Sequence, residues 1–136
     1  MDKLNNFLNS YIYKGEIYLI IDKERFNELK KDTFGIFNTV SALARFEFGY
    51  SEFKHGESFN LTLVKGGVLG DFIFKPKIYI SYNDIKDVSI EGEKLILKIF
   101  EEDKLKDIVF KIEKSDILEK VYLALRQQCN LGYKEY

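Results

Sequence analysis

The sequence predicts a mainly β, α+β fold: a bent antiparallel sheet or open barrel of about seven strands, capped by one C-terminal helix. Two observations support this fold. Residues 77–90, 94–100 and 105–112 alternate apolar with polar side chains or run apolar, and polar turns separate them, which is typical of strands. The period then changes, because apolar side chains recur at helical spacing at Ile117, Leu118, Val121, Tyr122 and Leu125. One stripe of this helix is therefore expected to pack against the sheet.

The first elements in chain order are a short helix, a strand and a second helix. Helical spacing of Leu4, Phe7, Leu8 and Tyr11 predicts an amphipathic helix over residues 3–10. After a turn at Lys14 and Gly15, residues 16–21 are rich in β-branched and aromatic side chains and are expected to form a strand. Asp22 can cap a helix over residues 23–31, which Phe26 and Leu29 would anchor.

The next segment, residues 36–50, fits two patterns. Phe37, Val40, Leu43 and Ala44 suit a helix, so residues 36–44 remain open between helix and strand. The alternation from Val40 through Phe46 and Phe48 to Tyr50 favours a long strand. We expect a strand over residues 41–50, with Arg45 and Glu47 on the face opposite the aromatic side chains.

The middle of the chain predicts a loop and a hairpin. Residues 51–57 are polar and contain Gly56, whereas residues 58–64 alternate cleanly and are expected to form a strand. A tight turn at residues 65–67 leads to a return strand over residues 68–75, in which Gly70 would mark a bulge. Pro76 cannot donate to a ladder, so the chain is expected to bend there or to lie at an edge. Ser115 or Asp116 is expected to cap the closing helix.

Composition limits the class of protein. A chain of 136 residues is the usual size of one domain. The net charge is −1, and the basic residues are nearly all lysine, with arginine only at positions 25, 45 and 126. Nucleic-acid binding is therefore not expected, since arginine supplies the planar fork that reads phosphate and base edges. The surplus of lysine, isoleucine, asparagine and tyrosine is also typical of AT-rich coding in low-GC bacteria.

Cysteine content and apolar runs bear on location. Cys129 is the single cysteine, so no intramolecular disulfide is possible, and its position predicts an inert thiol. No apolar run reaches the roughly 18 residues needed to cross a bilayer. The first ten residues lack the apolar core of a signal peptide. A cytoplasmic location is expected.

The second half of the chain resembles a known family. The run from Ile80 through Tyr82, Asp84, Ile85 and Val88, followed by two strands and the closing helix, looks like the second half of bacterial pleckstrin-homology-like (PH-like) domains, including GRAM-type relatives. The resemblance covers mainly residues 77–128. It implies four preceding strands, at about residues 41–50, 58–65, 68–75 and 77–82. It divides the chain into an N-terminal extension (1–35) packed on the domain, a PH-like domain (36–130) and a tail (131–136).

Candidate catalytic and metal-binding patterns are weak. His55 is the only histidine and lies in a polar loop, which rules out a pair of histidine ligands. Glu101, Glu102 and Asp103 lack calcium-loop spacing and are typical of a hairpin turn kept in water. The glycine-rich residues 65–70 do not match a phosphate-binding loop. We therefore predict no catalytic residue, no cofactor and no metal, and a protein that is not an enzyme.

Binding is the function that remains. The resemblance implies that lipid phosphates would contact the first two strands and their loop, but Lys54 and His55 there stand against Glu52 and Glu57. The aromatic row of Phe46, Phe48 and Tyr50 is half of a core or a contact surface. The candidate binding residues are Tyr50, Phe53, Lys54 and His55. We expect a scaffolding or binding domain that contacts a protein, a peptide or a second copy of itself. The alternative is a peripheral membrane module that binds anionic lipid headgroups through lysines.

Overall fold

The computed structural model describes residues 12–31, 40–71 and 77–131. The first of these ranges contains strands β1 (Ile12–Lys14) and β2 (Ile17–Ile21) and helix α1 (Lys23–Lys30). The remaining elements are β3 (Val40–Phe48), β4 (Ser58–Leu63), β5 (Gly67–Asp71), β6 (Lys77–Ser81), a 3-10 turn (Tyr82–Asp84), β7 (Ile85–Glu91), β8 (Lys94–Glu101), β9 (Lys104–Lys111) and α2 (Ser115–Gln128).

Within the described residues, nine strands form one antiparallel sheet in the order β1-β2-β6-β5-β4-β3-β9-β8-β7. The sheet is open, with β1 and β7 at its edges, and is not a closed barrel. Strands β3 to β9 and helix α2 have the order of a PH-like domain. The predicted fold class is therefore confirmed.

The sheet bends at β3. Residues Val40 to Arg45 of β3 pair with β4, whereas Arg45 to Phe48 pair with β9, and a bulge between Phe46 and Phe48 shifts the register. A bulge sharpens the local twist, so one strand can belong to both halves of a folded sheet. Alternation then directs one side chain in two into the enclosed core. The helix α2 covers this core with Leu118, Val121, Tyr122 and Leu125, all buried.

The N-terminal segment extends the same sheet. Strand β2 pairs with β6, from Ile17 opposite Ile80 to Ile21 opposite Lys77. Strand β1 pairs with β2 across the turn at Gly15. Helix α1 begins after Asp22, whose Oδ1 accepts a hydrogen bond from the backbone N–H of Arg25 (2.7 Å). The predicted strand, cap and second helix are confirmed. Strand β1 was not predicted, and the helix predicted over residues 3–10 lies outside the described residues.

Three local expectations are corrected or completed. Gly70 does not mark a bulge: it pairs regularly with Leu61 and Ile78, and a Cβ there would lie 2.5 Å from Ile78 Cγ2. Residues 40–44 are strand, whereas residues 36–39 and the bend predicted at Pro76 lie outside the described ranges. Helix α2 begins at Ser115 with Lys114 as the N-cap residue, and no side chain caps it.

Candidate functional site

A concave surface lies on the outer face of β3 and β4. The alternation that buries Ala42, Ala44, Phe59 and Leu61 turns their neighbours away from the core. Cross-strand register places these outward side chains in three rows, which are Ser41 with Thr62, Leu43 with Asn60, and Arg45 with Ser58. These rows are the floor of a cavity of about 530 Å³, which is within the usual size of a ligand pocket. We call this cavity the β3–β4 groove.

Two walls border the β3–β4 groove. Phe26 and Lys30 of α1 line one wall, where buried Phe26 packs with Leu69 in a small apolar cluster outside the main core. The other wall is the junction of β9 with α2, from Lys111 to Lys114, together with Ile117. The groove therefore depends on docking of α1 and α2 on either side of the same two strands.

The groove carries a surplus of positive charge. Four cationic side chains and two carboxylates line it, and they are Lys30, Arg45, Lys111, Lys114, Asp71 and Glu113. The Arg45 Nε and Glu113 Oε1 atoms are 3.8 Å apart, but both side chains are more than half exposed, so their attraction is weak. Leu43 lies among these charges with 70% of its surface exposed. The groove thus combines cations with an uncovered apolar side chain.

The predicted binding residues separate into two environments. Tyr50 and Phe53 are buried in the core, and their rings meet edge to face at a centroid distance of 6.4 Å. Lys54 and His55 are exposed, and His55 Nδ1 lies 3.1 Å from the carbonyl oxygen of Glu47. The β3–β4 loop thus folds its aromatic residues inward and leaves its cationic and imidazole groups in water. A binding role for these four residues stays a prediction.

Tyr50 belongs to a buried polar cluster at the corner of the sheet. Its hydroxyl donates to Glu101 Oε2 (2.8 Å), and Lys14 Nζ lies 3.3 Å from Glu101 Oε1. Lys106 Nζ lies 4.0 Å from the centroid of the Tyr50 ring, a cation–π contact. Burial, followed by the hydrogen bond to Glu101, raises the pKa of Tyr50. The phenol therefore remains neutral at physiological pH and acts as a hydrogen-bond donor.

Further bonds tie the β1–β2 turn to this corner. Ser81 Oγ and Asn83 Nδ2 both donate to Glu16 Oε2, at 3.0 and 3.2 Å, and the Glu16 N–H donates to Asp84 Oδ2 (3.3 Å). Burial raises the pKa of Asp84. These polar groups bond to one another, so the cluster joins the N-terminal hairpin to the PH-like strands.

Glu101 corrects one expectation from the sequence. The acidic run at residues 101–103 was predicted to stay in water, but the Glu101 side chain is only 3% exposed, whereas Glu102 and Asp103 form the exposed turn. A signal was present: Leu95, Leu97 and Ile99 face the core, and the same alternation directs Glu101 inward.

A buried arginine joins α2 to the edge strand β7. Arg126, which is 2% exposed, donates through Nη1 to Asp87 Oδ1 (3.0 Å) and to the Val88 carbonyl (2.7 Å). Its Nη2 donates to the Leu131 carbonyl (2.8 Å). Sequence reasoning missed this residue, although Arg126 falls four residues after Tyr122 on the apolar stripe of the helix. Because Arg126 binds the Val88 carbonyl, this point of the β7 edge is not available to an added strand.

The part of the chain that the structure describes shows neither a metal site nor a membrane-spanning helix. There, no group of three or more histidine, cysteine, aspartate and glutamate side chains is placed to hold a metal ion. Likewise, neither α1 nor α2 is long and apolar enough to cross a membrane.

Comparisons with known proteins support the fold. No family model matches the sequence, and no curated protein matches it significantly. The structure is similar to the crystal structure of the FERM and C-terminal domain complex of Drosophila Merlin, with a TM-score of 0.56 and 14% sequence identity. The similarity covers 74% of this chain and 30% of that chain. A FERM domain contains a PH-like part, and at this identity the likeness shows a PH-like fold alone.

Proposed function

We propose that this chain is a non-catalytic protein-interaction module that binds an acidic, partly apolar peptide segment of a partner protein in the β3–β4 groove. The observation that carries the proposal is exposed Leu43 on the groove floor, among four cationic side chains. An exposed apolar side chain with charges around it is typical of interaction surfaces. Complementary charge would steer an acidic segment toward the groove.

The groove suits a peptide better than the β7 edge of the sheet does. PH-like folds can bind peptides by adding a strand to a sheet edge, but at β7 the Val88 carbonyl already accepts a hydrogen bond from Arg126. The groove needs no free backbone groups. Its concave shape also favours a peptide chain over a flat lipid surface. The FERM domain of Merlin forms a complex with a C-terminal domain, and this supports a protein partner in general terms.

The absence of catalysis is part of the proposal. The buried Glu101 is bound by Tyr50 and Lys14, and the buried Arg126 is bound by Asp87 and the Val88 carbonyl. These buried groups therefore stabilise the fold and are already bound to one another, so they do not form a site for acid or base catalysis.

A selection from displayed random heptapeptides tests the proposal. We expect enrichment of sequences that combine aspartate or glutamate with aliphatic residues. A Lys30→Glu, Lys114→Glu double variant reverses one charge on each wall and should lose this enrichment, with at least about tenfold weaker binding of a selected peptide. The matched control is Lys104→Glu, Lys120→Glu, which has the same net charge but changes exposed lysines outside the groove.

Two outcomes would contradict the proposal. If the selected peptides show no acidic enrichment, or if both double variants lose binding equally, the β3–β4 groove is not the peptide-binding site. The membrane alternative is tested in parallel by sedimentation with vesicles that contain phosphatidylserine. Vesicle binding that falls with salt and disappears in the groove variant, together with a failed peptide selection, would replace the protein partner with a lipid surface.

A further inference from the structure

The outer face of β8 and β9 is a second surface that none of the described elements covers, and it borders the β3–β4 groove at Lys111. The inward side chains Leu95, Leu97 and Ile99 of β8 and Ile108 and Phe110 of β9 are buried. Alternation therefore directs the intervening side chains outward. The register arranges them in three direct cross-strand rows, which are Ile96 with Val109, Lys98 with Asp107, and Phe100 with Leu105. We call these three rows the β8–β9 face.

The β8–β9 face exposes large apolar side chains. Leu105 is 59% exposed and its cross-strand partner Phe100 is 42% exposed. Phe48 of β3, which pairs with Val109, is 65% exposed and extends the face sideways. The two described helices pack mainly elsewhere, since α2 contacts β3 and β7 and α1 packs through Phe26 on Leu69 and Tyr79. Exposed aromatic and aliphatic side chains on neighbouring strands are typical of interaction surfaces.

The order of the rows makes this face complementary to itself. A charged row lies between two apolar rows, and the charged row carries one cation on β8 and one anion on β9. Consider a two-fold axis that lies between the two stacked sheets, parallel to the strands and above the line between β8 and β9. This axis places each β8 opposite the β9 of the other copy. Lys98 then meets Asp107 of the second copy, and Asp107 meets its Lys98, which is the reciprocal contact of a two-fold interface. The same operation places Phe100 on Leu105 and Ile96 on Val109.

We propose that the β8–β9 face is a homodimer interface in which two copies of this chain stack their sheets about that two-fold axis. The register of the three rows supports the proposal, because the face of a second copy places an opposite charge on each charged side chain and an apolar side chain on each apolar one. The proposal does not depend on the function proposed for the groove, which lies on the opposite side of the β3 bulge.

The end of the face at Lys94 and Lys111 is compatible with this arrangement. Lys94 and Lys111 form the next row beyond Ile96 and Val109, and like charges would meet there if the strands were parallel. Stacked twisted sheets cross at roughly 30°, so this outer row diverges from its counterpart.

The size of the face predicts a weak dimer. Three rows at about 7 Å spacing on strands about 5 Å apart give an area below that of a standard stable interface. We therefore expect monomers at chain concentrations of about 1 µM and dimers at chain concentrations on the order of 100 µM or above. Sedimentation velocity or size exclusion with light scattering over this range measures the equilibrium.

Charge reversal gives the decisive test. Lys98→Glu leaves two acids in the central row, and Asp107→Lys leaves two cations, so each variant alone should stay monomeric at about 100 µM. An equimolar mixture of the two variants should form a heterodimer, because the acid introduced at position 98 of one copy then faces the lysine introduced at position 107 of the other. The unchanged Asp107 of the first copy and Lys98 of the second also face each other. A misfolded variant could not gain partners in this way, so the mixture separates loss of the interface from loss of the fold.

The apolar rows are tested by Phe100→Ser with Leu105→Ser, against Leu43→Ser in the groove as an exposed control. We expect the first variant to weaken dimerisation at least about tenfold and the control to leave it unchanged. A wild-type chain that stays monomeric at several hundred micromolar would overturn the proposal. So would a dimer that survives Lys98→Glu and Asp107→Lys, or a mixture of these variants that does not associate.

Discussion

Glu101 illustrates how a single buried charge connects distant parts of the chain. Its carboxylate binds Tyr50 from the β3–β4 loop and Lys14 from the N-terminal hairpin. A buried charge is tolerated when it is paired and hydrogen-bonded, and it is costly when one partner is removed. The three side chains therefore act together, and their energies are not independent.

The first prediction concerns the Tyr50 hydroxyl. Tyr50→Phe removes the hydrogen bond to Glu101 and should lower the free energy of unfolding by about 1–2 kcal/mol. In a Glu101→Gln background the same change should cost less, with a coupling energy of at least about 0.5 kcal/mol. Urea denaturation of the two single variants and the double variant measures this. Additive losses would show that the 2.8 Å contact contributes nothing specific to stability.

A second prediction concerns Cys129. Burial raises the pKa of its thiol from 9.0 to about 11, although the positive charge of Arg126 opposes the shift. At pH 8 the folded chain should therefore react with iodoacetamide roughly a hundredfold more slowly than the urea-unfolded chain, since the thiolate is the nucleophile. Because folding raises the pKa of the Cys129 thiol, the protonated thiol contributes to the free energy of unfolding. This contribution is complete below pH 9 and is lost as the pH rises toward about 11.

The pH dependence has a matched control. Cys129→Ala removes the thiol, so the difference in free energy of unfolding between wild type and variant should change between about pH 9 and pH 11 and stay constant below. Equal alkylation rates for folded and unfolded chains would contradict the burial of Cys129.

Helix α2 and strand β7 are joined by the side chain of Arg126. Apolar contacts hold α2 over the core, but Arg126 sets its position along β7 through the Asp87 carboxylate and the Val88 carbonyl. The planar guanidinium makes three separate bonds in one orientation, which an ammonium group cannot reproduce. Arg126 also covers part of an edge strand, a common way to prevent unwanted strand pairing.

The third prediction follows from this geometry. Arg126→Lys keeps the positive charge but loses the fork, and it should lower the free energy of unfolding by about 2–4 kcal/mol. Lys120→Arg, on the exposed side of the same helix, is the control and should change it by less than about 0.5 kcal/mol. Thermal unfolding followed by circular dichroism measures both. A change no larger than that of the control would mean that packing alone positions α2.

The elements were predictable where a period of side chains was long enough to read. Alternation over β8 and β9 and the helical stripe of α2 predicted the C-terminal half, because the chain there pairs mostly with its sequence neighbours. Strand β1 was missed because it has only three residues and exists by pairing with β2. Gly70 was misread because a glycine in a strand can mark either a bulge or a close approach, and only the contacts with Ile78 and Phe59 distinguish the two.

The candidate sites could not be derived from local sequence. Nothing near Leu43 or Arg45 indicates that α1 and the start of α2 border the same two strands. Tyr50 and Phe53 lie in a polar loop, and only the three-dimensional fold brings them into the core beside Glu101. Alternation indicated which side chains point outward, whereas the groove arises from packing between segments far apart in the chain.

The described part of the chain thus combines a PH-like sheet, an N-terminal hairpin that extends it beyond β6, and two outward surfaces on different strands. The β3–β4 groove is cationic, whereas the β8–β9 face is apolar with one balanced charged row.

Backbone amide chemical-shift mapping tests the central claim about the groove most directly. An isotopically labelled chain is titrated with an acidic heptapeptide obtained from the displayed selection, below the concentration at which dimers form. We expect the largest shifts at Leu43, Arg45, Asn60 and Thr62, and these shifts should shrink in the Lys30→Glu, Lys114→Glu variant. Shifts that instead follow the β7 edge from Ser89 to Glu91, with the groove unchanged, would contradict the account.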